Sequence, residues 1–94
     1  MMIEELPVPT SAEDDHEGFE VLRVFYSNHG HHVSPNLERY RNKGFSQAKG
    51  WGIILADVAR HVSSEIAYQS DEDAYGVEVD LMEAFLKEFE NPTN

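Results

Sequence analysis

Cysteine is absent from the 94-residue sequence, so neither a disulfide nor a thiolate metal site can reinforce the fold. Basic residues are scarce: 7 Lys and Arg stand against 18 Asp and Glu, a formal net charge of −11. Phosphate binding rests on Lys and Arg, so this balance argues against nucleic acid as a direct partner. No run approaches the roughly 18 consecutive apolar residues of a membrane-spanning helix. The start, Met1-Met2-Ile3-Glu4-Glu5, is acidic where a signal peptide would be basic. The sequence therefore predicts a cytoplasmic protein that does not use a membrane. Glycine-rich phosphate loops, paired catalytic carboxylates and nucleophile motifs are also missing, so it predicts no cofactor and no enzymatic activity.

What is present suffices for a folded core. Apolar residues make up 40% of the chain, and one Trp, four Tyr and five Phe supply bulk. A chain of this size is one small domain near the limit at which a single core is stable. With a thin core and no covalent staples, association with another copy is the expected remedy. Charge is unevenly spread. Arg39, Arg41, Lys43 and Lys49 cluster in one segment, while acids concentrate in the first twenty residues and between Glu65 and Glu90.

Residues 1–18 read as an extended arm, because the prolines of Leu6-Pro7-Val8-Pro9 exclude a helix. The rest, 19–94, reads as one α+β domain. Phe19 to Tyr26 alternates as a strand with apolar residues on both faces. Ser27-Asn28-His29-Gly30 is turn chemistry, and the return through His31-His32-Val33-Ser34 to Pro35 completes a β-hairpin over 19–35. A basic connection follows over 36–46, with Leu37, Tyr40 and Phe45 as apolar anchors. Ser46 is positioned to cap a helix over 47–69, whose stripe of Trp51, Ile54, Leu55, Val58, Val62 and Ile66 faces the core. Gly52 beside Trp51 suggests either the close approach of another backbone or a frayed first turn. Ser70 is read as the cap of a second helix over 71–90, carrying Ala74, Val77, Leu81, Phe85 and Phe89. The short link makes the two helices antiparallel. A lone two-stranded sheet is marginal, so the architecture predicts a homodimer that joins two hairpins into one four-stranded sheet.

Three places carry candidate chemistry. Asp57, Arg60 and His61 sit on one helical flank near Trp51. An Asp four residues before a His can orient it as a base, but no nucleophile or oxyanion donor accompanies the pair. These four residues are instead candidates for binding a small ligand in a cleft, or for fixing the helix against its neighbours. Leu6 and Val8 are candidates for docking a protein partner. His29, His31 and His32 are dense enough to suggest a divalent ion. However, His31 and His32 fall on opposite faces of a strand, and no carboxylate at ligand spacing joins them, so no metal is predicted.

Leu6-Pro7-Val8-Pro9, Glu20-Val21-Leu22-Arg23-Val24, His32-Val33-Ser34, Trp51-Gly52-Ile53 through Ala59-Arg60-His61-Val62, and Phe89-Glu90 with Pro92-Thr93 together resemble a family of small bacterial proteins known only as a domain of unknown function. The resemblance spans nearly the whole chain; the connection Asn36 to Lys49 departs from it in length and charge. It implies a small stand-alone cytoplasmic protein without an assigned reaction. The functional expectation is a non-enzymatic protein-interaction module acting as a homodimer. The alternatives are a ligand-binding protein using a cleft near Trp51 and His61, and a metal-binding protein using the hairpin histidines.

Overall fold

The computed structural model describes residues 4–38 and 46–93. The chain is α+β and divides into two compact units, residues 1–39 and 40–94, each described here by itself. Arg39, Tyr40, Arg41, Lys43 and Phe45, which carry most of the basic connection and two of its three anchors, lie outside the described residues.

The first unit holds the arm and the hairpin. Residues 4–9 form neither helix nor strand, and a 3₁₀ turn, Thr10–Ala12, follows Pro9 (φ −57°, ψ 137°), whose carbonyl accepts the Ala12 N–H at 2.9 Å. Strand β1 (Leu22–Ser27) pairs antiparallel with β2 (Gly30–Pro35), Ser27 opposite Gly30 and Leu22 opposite Pro35. The strand begins three residues later than the alternation predicts. Ahead of it, Asn36 ties the chain down: its N–H donates to Val21 O at 2.8 Å and its Nδ2 to Glu20 O at 3.0 Å. At the turn Gly30 carries the positive φ, 100°, and Asn28 does not share it. Pro35 sits where the register turns its nitrogen away from β1, so no ladder bond is lost. Alternation places Leu22, Val24, Tyr26 and Val33 on one sheet face and Arg23, Phe25, Ser27 and His32 on the other. The Arg23 guanidinium covers Phe25, 5.6 Å from the ring centroid.

The second unit is a helical hairpin. Helix α1 spans Gln47–Ser70, with Ser46 Oγ accepting the Lys49 N–H at 3.1 Å as its cap. It stops where Asp71 turns left-handed, φ 55°, and Glu72 N–H closes on Ala67 O. Helix α2 spans Ala74–Glu90. Its cap is Asp73, not Ser70: Asp73 Oδ2 accepts the Gly76 N–H at 3.0 Å, while Ser70 Oγ donates back to Ile66 O at 2.7 Å and so belongs to the end of α1. Serine competes for its own helix carbonyls, and a carboxylate does not, so the acid takes the cap.

Packing departs from the periodic stripe in an informative way. The buried residues of the helical pair include Ser63, Ala67 and Val77, with Ala67 7% and Val77 8% exposed. The buried side chains of α1 are small and stand four residues apart. Of the large stripe of α1, Trp51 and Ile54 are half-buried while Leu55, Val58, Val62 and Ile66 are exposed, as are Met82, Phe85, Leu86 and Phe89 on α2.

Candidate functional site

Helices α1 and α2 flank an apolar groove of about 570 Å³. Trp51 and Leu55 from the start of α1 meet Phe85 and Phe89 from the end of α2 along it, which the antiparallel arrangement requires. Phe85 and Phe89 stack on each other with ring centroids 6.0 Å apart. Gly52 also lines the groove, and a Cβ placed there would meet nothing within 4 Å among the described residues. The glycine therefore leaves open space, and the expected close approach of another backbone is not found within them. Arg60 and Glu78 add charge to the lining.

Ser63 also lines this groove. It is 1% exposed, and its buried Oγ has no hydrogen-bond partner among the described residues. Sequence reasoning missed it, since a serine between Val62 and Ser64 carries no motif. The one available signal was its place four residues before Ala67 on a small-residue strip.

The structure separates the residues expected around Trp51. Trp51 and Arg60 line the groove; Asp57 and His61 do not. The Asp57 carboxylate pairs with Arg60 on the exposed helix surface. His61 Nδ1 lies 2.8 Å from the Asp57 backbone carbonyl, so the carboxylate does not orient the imidazole. An acid-oriented base is not assembled here.

The arm is held to the hairpin by charge. Arg23 bonds Glu5 at 2.5 Å and Glu20 at 2.7 Å. The Arg23 hydrogen bond, aided by the charge of Arg23, holds the Glu20 carboxyl below its ordinary value of 4.5 against the opposing effect of desolvation. Glu20 and Glu5 together raise the Arg23 guanidinium above its own. Glu4, Glu5 and Leu6 share a shallow cleft with Leu22, Arg23 and Val24 of β1. Leu6 itself is 94% exposed, and Val8 is exposed as well.

The three hairpin histidines separate. His31 stands against Tyr26, ring centroids 5.4 Å apart, on the face opposite His32. His32 Nε2 and Ser27 Oγ are hydrogen-bonded at 2.7 Å, and Ser27 Oγ also accepts the His29 N–H at 3.2 Å. That contact, invisible in the sequence, fastens the turn. Among the described residues no group of three or more His, Asp or Glu side chains is placed to hold a metal.

Fold and groove together define a small α+β protein with uncovered apolar faces on both of its units. The chain belongs to the family described as a domain of unknown function, DUF5076, whose model matches residues 5–93. It is similar to a solved structure described as that of "a putative pyruvate dehydrogenase from the photosynthetic bacterium Rhodopseudomonas palustrus CGA009". The two are 26% identical with a TM-score of 0.65, over 99% of this chain and 90% of that one. No curated protein matches the chain. Among the described residues no helix is long and apolar enough to cross a membrane.

Proposed function

We propose that this chain is a non-enzymatic protein-interaction module that acts as a homodimer in the cytoplasm. One observation carries the reading: large apolar side chains stand outside both units, Val24, Tyr26 and Val33 on the hairpin and Leu55, Phe85 and Phe89 on the helices, while the buried core is small. On the hairpin Val24, Tyr26 and Val33 share one sheet face, and an exposed apolar patch marks an association site. The enzyme named for the Rhodopseudomonas structure stays with that protein, since a shared fold does not import a reaction. Light scattering of untagged protein, across salt and a tenfold concentration range, tests the proposal. A mass twice the chain's 10.7 kDa is expected. A mass of one chain at every concentration overturns the homodimer.

A second reading is a small apolar ligand in the helical groove, favoured by the unpartnered Ser63 Oγ within it. Trp51, the one tryptophan of the chain, reports on it directly. Its fluorescence should shift on titration with laurate and return to baseline in Ser63→Leu protein. No shift with laurate or a panel of apolar metabolites removes this reading.

A further inference from the structure

We infer that the outer edge of β2 is the homodimer contact, pairing antiparallel with β2 of a second copy so that Val33 meets Val33 of the partner subunit across the twofold axis. This rests on the homodimer reading and adds the edge and the register. The intrachain ladder fixes which groups are free. Asn36 N–H bonds Val21 O, and the pairing runs on through Ser34 opposite Arg23, His32 opposite Phe25 and Gly30 opposite Ser27. Antiparallel pairs alternate between bonded and unbonded, so residues 30, 32, 34 and 36 point their backbone groups inward. His31, Val33 and Pro35 therefore point theirs outward. His31 to Pro35 are all exposed, and the sheet ends at β2 on that side among the described residues.

The edge fits a copy of itself. With Val33 on the axis, each Val33 N–H meets the other Val33 carbonyl, and each His31 N–H meets a Pro35 carbonyl. Every outward donor of the strand is then used. Proline, which has none to offer, falls at the end of the ladder, where water can satisfy the facing carbonyl of His31. The other edge of the sheet is less open, because the Glu5–Arg23 ion pair holds the arm alongside β1. β2 carries neither lysine nor a bulge, and its one edge-blunting residue, Pro35, stands at the end of the strand and leaves Val33 open. Pairing would turn a marginal two-stranded sheet into a four-stranded one and join the two Leu22, Val24, Tyr26 and Val33 faces into one apolar surface.

The test uses untagged full-length protein and light scattering with circular dichroism. Val33→Pro removes a donor that the hairpin itself does not use; it should leave the spectrum unchanged and weaken dimerisation by about tenfold or more. Val33→Lys, which sets like charges across the axis, should do the same if proline disturbs the strand. Val33→Cys places the sole thiol of each chain on the axis, within disulfide reach of the other, and mild oxidation should give a covalent dimer. A dimer that survives both Val33→Pro and Val33→Lys, or a Val33→Cys protein that stays uncrosslinked, overturns the edge contact. If the dimer is instead lost in Phe85→Glu, the homodimer reading stands and the contact lies on the helices. If the unaltered protein is monomeric throughout, the homodimer reading falls with it.

Discussion

His61 meets Asp57 through the backbone: its Nδ1 lies 2.8 Å from the Asp57 carbonyl oxygen, while the Asp57 carboxylate is engaged by Arg60. Both partners of that ion pair are more than half exposed, at 66% and 51% of their side chains. An exposed pair of this type contributes about 0–1 kcal/mol. Asp57→Asn and His61→Ala should therefore each shift the midpoint of chemical denaturation only slightly. A loss of several kcal/mol in either would show that the flank is buried in the working assembly.

Two caps can be weighed against a decoy. Ser46→Ala and Asp73→Ala each remove the acceptor of a helix N–H and should cost about 1 kcal/mol. Ser70→Ala removes only a bond back into its own helix, to Ile66 O, and should cost much less. Urea melts of the three variants check the order. A Ser70→Ala loss equal to that of Asp73→Ala would put the cap of α2 back at Ser70.

The contrast between Ser46 and Ser70 shows what the sequence made legible. Local chemistry read well: Ser46 caps α1, Gly30 takes the positive φ of the turn, and Pro35 sits at the edge of the sheet. Periodicity alone could not rank two apolar stripes on one helix. Trp51, Leu55, Val58 and Val62 read as the buried face by their periodicity, yet the buried positions of α1 include Ser63 and Ala67, while Leu55, Val58 and Val62 stay exposed. The site was half legible for the same reason. Trp51 and Arg60 face the groove, whereas Asp57 and His61 share a flank in sequence but fall outside it. The Ser27–His32 bond depends on cross-strand register, which spacing along one chain does not show.

Glu20 gives the hairpin an acid limb. Its carboxyl is held below 4.5 chiefly by the Arg23 hydrogen bond, so the folded state favours the ionised form. The resulting stability is present above the ordinary carboxylate value and is lost as pH falls through the lower folded value. Arg23 stays charged throughout and adds no slope of its own. The melting temperature should fall less steeply with acid in Glu20→Gln protein than in the unaltered protein. Equal slopes would mean that Glu20 and Arg23 do not hold each other in solution.

Ser63 tests whether the groove is used. A buried hydroxyl without a partner costs about 1–3 kcal/mol. Ser63→Ala should therefore be neutral or stabilising in the ligand-free protein, measured by denaturant unfolding. A clear loss would reveal that the hydroxyl is bonded when the protein is free. Ala67→Leu, by contrast, overfills the seam between the helices and should destabilise by about 1–3 kcal/mol.

Gly52 offers the sharpest discrimination between an open groove and a closed one. Glycine within a helix costs about 1 kcal/mol relative to alanine, and a Cβ at this position meets nothing within 4 Å among the described residues. With the groove open, Gly52→Ala should raise the stability of α1 by about that amount, and with dimerisation through β2 it should leave the solution mass unchanged. Melting curves and light scattering on the same sample read both quantities. A fall in melting temperature together with a loss of dimer would mean that another backbone closes on Gly52 in the assembly. That result would move the contact from the strand edge to the helical groove, because only there does a single methyl at Gly52 stand in the way.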